Sequence, residues 1–92
     1  MADMKMVLLP AQRNAMVDTL IHQCTMDSRW PDRVMVNVAR GLDCKPPVKR
    51  FRGILPVTRS KLRSKVLTAS VNISSLSDAQ VAGYHAALAP VL

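Results

Sequence analysis

The chain has no glutamate: all six of its acids are aspartate, and none lies between residues 45 and 65. It has only three aromatic residues, Trp30, Phe51 and Tyr84. So few rings exclude the binding surfaces that stack successive bases on an aromatic platform. Its three glycines, Gly41, Gly53 and Gly83, are isolated, so no glycine-rich loop can cradle a phosphate. Its four soft metal-ligand candidates, His22, Cys24, Cys44 and His85, form no CxxC or HxxxH clip, and no metal site is expected. The longest early apolar run, Met6 to Leu9, is too short for a secretory leader, and nothing approaches the length of a membrane span. These absences predict a cytoplasmic protein with reduced thiols and no membrane partner.

Catalytic chemistry is equally thin. Asp18 and His22 are four residues apart and can meet on a helix, but no nucleophile or oxyanion hole accompanies them. No pair of carboxylates shares an evident cleft. The expectation is a non-enzymatic chain with no catalytic residues, no cofactor and no small-molecule substrate.

What the chain does have is concentrated positive charge. Lys45, Lys49, Arg50, Arg52, Arg59, Lys61, Arg63 and Lys65 fall in one acid-free window. The residues before it balance five cations against five acids, and those after it carry only Asp78. Residues 45–65 therefore carry +8, which Asp78 reduces to the net charge of +7. A surface kept basic for solubility normally mixes signs; one that excludes acids fits a polyanion, and nucleic acid is the commonest. These eight residues are the candidate nucleic-acid-binding set.

With 92 residues and 49% hydrophobic composition, the chain is long enough for one domain with a modest core. Pro10 opens a helix predicted over 10–26, with Met16, Leu20 and Cys24 on its inner face. A second helix is predicted over 31–42, with Trp30, Val34, Val38 and Leu42 sharing a face and Gly41 at its end. Val34, Val36 and Val38 alternate as a strand would, but Arg33, Asn37 and Arg40 gather opposite Trp30 and favour the helix. Pro46-Pro47 breaks the chain. Val48–Leu55 and Lys65–Ile73 then read as strands, the second because Leu67, Ala69, Val71 and Ile73 alternate with polar residues. Ser77 and Gln80 form a capping box that opens a helix over 77–89. The predicted fold is thus α+β in a single domain over 1–92: a neutral helical half (1–44), a basic antiparallel β-hairpin (45–74) and a C-terminal helix (75–92).

That fold gives the local repeat Arg59-Ser60-Lys61, Leu62, Arg63-Ser64-Lys65 a particular meaning. In a strand its four cations share one side, spaced roughly 6.5–7 Å apart, matched to successive phosphates. In a helix they spread over two or three sides. Protein-contact candidates are Met4 and Met6, near the start, and Phe51, framed by Arg50 and Arg52.

In length, single-domain build and lack of catalytic groups the whole chain resembles the small proteins phages make against host machinery, anti-CRISPR proteins among them. The resemblance implies a stoichiometric inhibitor in the bacterial cytoplasm. It would dock on a CRISPR surveillance complex through protein and guide-RNA contacts and block target-DNA binding. Two other classes share the charge pattern: a ribosomal or other structural RNA-binding protein, and a transcriptional regulator with a helix in the major groove.

Overall fold

The computed structural model describes residues 6–23 and 29–92 and is all-helical over them. Four helices follow in order: α1 (Pro10–Gln23), α2 (Asp32–Leu42), α3 (Pro56–Val71) and α4 (Asp78–Leu88). Short 3-10 turns occupy Ile73–Ser75 and Ala89–Val91. The α+β expectation is overturned: no strand or hairpin exists among the described residues. Val48–Leu55 is irregular chain, and Lys65–Ile73 belongs to α3 and the turn that follows it.

The physical reason lies in α3 itself. Leu55 caps it and Pro56 occupies its first turn, where a missing N–H costs nothing. Leu62, Val66, Ala69 and Ile73 then recur at helical spacing and pack into the core. Val71, an inward residue in the strand reading, is 83% exposed. Thr68 turns its hydroxyl to the Ser64 carbonyl (2.9 Å), using its polar group within the helix.

The core sits on α2 and α4. Trp30, Val34, Met35, Val38 and Leu42 meet Val81, Tyr84 and Leu88, with Leu20 of α1, Val66 of α3 and Ile73 closing the sides. The two helices run in opposite directions. Gln80 Nε2, at the start of α4, donates to the Leu42 carbonyl at the end of α2 (3.1 Å). They cross at Gly41 and Gly83. A Cβ built on Gly41 would lie 2.6 Å from the Gly83 carbonyl carbon, and one on Gly83 would lie 2.6 Å from the Gly41 oxygen. Both clashes are with backbone, so no side-chain rotation relieves them. Gly41, one residue before the end of α2, is thus also the point where the two helices touch.

α2 ends in a Schellman turn: Cys44 N–H donates to Gly41 O (3.0 Å) and Lys45 N–H to Arg40 O (2.8 Å). The left-handed position, usually glycine, is held here by Cys44 at φ 57°. α4 opens on the expected capping box, with Ser77 and Gln80 exchanging hydrogen bonds. Tyr84 is fully buried; its hydroxyl meets Ser70 Oγ at 2.7 Å, and its ring lies edge-on to Trp30, centroids 6.3 Å apart. Trp30 Nε1 is buried without a hydrogen-bond partner.

The N-terminal segment is tied to α4 by one acid. Asp78 accepts from Leu8 N–H (2.7 Å) and from Arg13 (2.7 Å), and Arg13 also donates to the carbonyls of Ser74 and Leu76. These bonds hold the Asp78 carboxyl below its ordinary value, the Leu8 amide first and the Arg13 guanidinium second. The expected end of the first helix at 24–26, with Cys24 on its inner face, lies outside the described residues.

Candidate nucleic-acid interface

α2 and α3 run side by side in the same direction. Arg59, early in α3, pairs with Asp32 at the start of α2 (2.7 Å) and donates to the Trp30 carbonyl (2.8 Å). Lys65, later in α3, pairs with Asp43 just beyond the end of α2 (2.5 Å). Parallel neighbours need a connection that travels back along the whole first helix, about 16 Å here at 1.5 Å per residue. Asp43–Leu55 is that connection, and it carries half of the basic window.

The crossover is anchored to the outer face of α2. Arg40 Nε donates to the Pro46 carbonyl (2.6 Å), and Val48 N–H donates to Asn37 Oδ1 (2.9 Å). Two adjacent prolines stiffen the span between these anchors. Lys45, Lys49, Arg50 and Arg52 are all exposed along it, while Val48, Phe51 and Ile54 are half-buried. Along the crossover, half-buried apolar residues thus alternate with exposed cations. Gly53, at φ 104°, supplies the left-handed bend before α3 begins.

The eight sequence candidates therefore divide. Lys45, Lys49, Arg50 and Arg52 lie on one ordered surface segment. Arg59 and Lys65 are committed to ion pairs that align α3 with α2. The Lys65 ammonium, by its hydrogen bond and then by its charge, holds the Asp43 carboxyl below its ordinary value. Lys61 and Arg63 are exposed on α3, but the expected row of four is corrected. Successive cations two residues apart turn by about 200° on a helix, so they cannot track a phosphate backbone from one side.

Reading the window alone missed one cation. Arg33 lies one helical turn before Asn37, the residue that anchors the crossover, and is exposed. The clustering of Arg33, Asn37 and Arg40 in the sequence was the signal; what it lacked was the knowledge that the basic segment folds back onto them.

The protein-contact candidates also separate. Met6 is 52% exposed and lines a shallow hollow of about 580 Å³ with Cys44, Pro46, Ala79, Ala82 and Ala86. Phe51 is half-buried within the crossover, and Met4 lies outside the described residues. Among the described residues there is no cluster of three metal-ligating side chains, and no helix is long and apolar enough to cross a membrane.

Set against known proteins, the chain matches no family model, no curated protein and no solved structure.

Proposed function

We propose that this chain is a non-enzymatic docking protein that grips the phosphate backbone of a nucleic acid within a protein–nucleic-acid complex. The observation that carries the reading is the Lys45–Leu55 part of the crossover: four exposed cations, no acid, and a backbone pinned to α2 at Pro46 and Val48 by Arg40 and Asn37. A mobile basic tail loses conformational entropy when it binds; a pre-ordered segment loses less. Arginine at positions 50 and 52 adds the option of bidentate phosphate contacts. Lys61 and Arg63 extend the positive field without forming a row with the others.

The finer form of the proposal is an inhibitor of the anti-CRISPR kind, made by a phage, acting in the bacterial cytoplasm and blocking target-DNA binding by a CRISPR surveillance complex. Its support is that the cationic crossover adjoins a mainly apolar hollow beside Met6, with Lys45 on the border of the two, one suited to backbone phosphates and the other to protein. Affinity capture from a bacterial host, with and without nuclease, tests both levels. Recovery of a CRISPR complex supports the finer form. Recovery of ribosomal particles moves the chain to the structural RNA-binding class. Recovery of neither, with no nucleic acid retained, overturns the proposal.

A further inference from the structure

A pocket of about 470 Å³ opens between the start of α2 and the C-terminal turn, lined by Pro31, Arg33, Val34, Asn37, Ala87, Pro90 and Val91. Its volume falls within the range of small-molecule sites, roughly 300–1,000 Å³. Its walls are mainly apolar, and its polar groups are one cation and one amide. Asn37 Oδ1 accepts from Val48 N–H, so the Asn37 amide keeps its Nδ2 donors beyond that bond. The same bond places the basic crossover next to the pocket, with Lys49 and Arg50 following directly.

This juxtaposition deepens the proposed function and rests on it. We propose that the pocket seats one unstacked nucleobase of a single-stranded nucleic acid, its neighbouring phosphates lying on Arg33 on one side and on Lys49 and Arg50 on the other. Charge selects the occupant: a mainly apolar hollow with one cation and one amide in its lining, no acid, and the basic crossover alongside fits the flat faces and polar edge of a nucleobase whose sugar carries phosphates. The aromatic inventory points the same way. Trp30 and Tyr84 are buried in the core and Phe51 is half-buried, so no open stacking platform is on offer. A base that contacts this protein is held in a concavity. A paired base must first leave its stack, at a cost of a few kcal/mol, whereas a single-stranded one need not. The site therefore favours single strands over duplex.

The test is amide-resolved NMR of the whole chain titrated with adenosine 5′-monophosphate and, separately, with ribose 5-phosphate. The expected result is that the nucleotide shifts Val34, Asn37, Ala87 and Val91, while the sugar phosphate shifts only the Lys49–Arg52 segment and Arg33. Identical shift patterns for the two compounds overturn the base seat. Binding of oligo(dT) and of a DNA duplex is then measured across salt concentrations. Oligo(dT) is expected to bind the more tightly, and Arg33→Ala to lower its log–log salt slope by about 0.7. An oligo(dT) affinity no higher than the duplex affinity, or an unchanged slope for Arg33→Ala, also overturns the seat. If Lys49→Ala/Arg50→Ala still abolishes oligonucleotide binding in that event, the crossover reading stands without the pocket; if no nucleic acid binds the native chain at all, both fall.

Discussion

The α2–α4 contact and the Lys45–Leu55 crossover are joined end to end, yet they are built on opposite principles. At the contact, two glycines bring backbones together beside a buried layer of valine, leucine, methionine and tyrosine. Along the crossover, charge faces water and two side-chain anchors do the holding. The difference separates stability from recognition. The buried core residues carry no charge, partly exposed ion pairs tie the helices together around them, and the crossover cations take little part in the core. Arg59 and Lys65 are the exceptions: they come from the basic window but serve the fold.

The most damaging test of this division is Gly83→Ala, or equally Gly41→Ala. Each places a methyl group on backbone atoms of the other helix, and the helices must separate to admit it. A loss of about 3 kcal/mol is expected from overpacking of this kind, enough to lower the melting temperature by more than about 10 °C. Calorimetry checks it; an unchanged melting temperature would mean that the helices do not cross at this point.

Next in size is Lys49→Ala/Arg50→Ala/Arg52→Ala. Nucleic-acid affinity is expected to fall more than tenfold at about 0.1 M salt, because three phosphate contacts are removed. The melting temperature should remain within a degree or two, since all three side chains are exposed. A large thermal shift would blur the separation between the two regions.

Tyr84→Phe sharpens the core side. It removes the hydroxyl that meets Ser70 at 2.7 Å while keeping the ring against Trp30. A loss of about 1 kcal/mol is expected by chemical denaturation, with nucleic-acid binding unchanged.

Acid probes the tie between the N-terminal segment and α4. The Asp78 carboxyl is lowered in the folded state, so its stabilising effect is complete above the unfolded value of about 3.9 and is lost as pH falls from there through the folded value. Asp43 acts in the same direction through Lys65. Stability measured from pH 6 down to pH 2 should therefore decline below about pH 4, and Asp78→Asn should flatten part of that decline. An identical acid profile in the variant would contradict the assignment.

The smallest effect is expected from Cys44→Gly, which relieves a left-handed residue at the end of α2. A gain of about 0.5–1 kcal/mol is predicted, visible as a modest rise in denaturation midpoint.

The first, second and fourth helices were legible because their signals were local. Pro10, the capping box at Ser77 and Gln80, and the Trp30–Val34–Val38–Leu42 face each need only a few neighbouring residues to be read. The third helix was hidden by a coincidence of periods. Leu67, Ala69, Val71 and Ile73 satisfy a strand's alternation, while Leu62, Val66, Ala69 and Ile73 satisfy a helix; the two sets share Ala69 and Ile73. Pro56 offered the same start signal as Pro10 but was surrounded by threonine, serine and valine, which favour helices weakly. The packing of Val66 and the ion pairs of Arg59 and Lys65 decide the matter, and all of these lie far along the chain.

The candidate site was legible as charge but not as surface. The acid-free window was plain in the sequence, yet which of its cations face outward depends on ion partners at Asp32 and Asp43, and on the course of a crossover that only the parallel α2–α3 arrangement requires. Gly41 and Gly83 show the same limit. Each alone looks like a stop or a weak point, and only their meeting makes them a contact.

The central claim is that the crossover cations engage phosphates, and salt measures this most directly. Affinity of the native chain for duplex DNA should fall with salt along a log–log line of slope about −4, from four or five contacts, and Lys49→Ala/Arg50→Ala/Arg52→Ala should bring that slope to between about −1 and −2. A slope that is flat in the native chain, or equally steep in the variant, would contradict it.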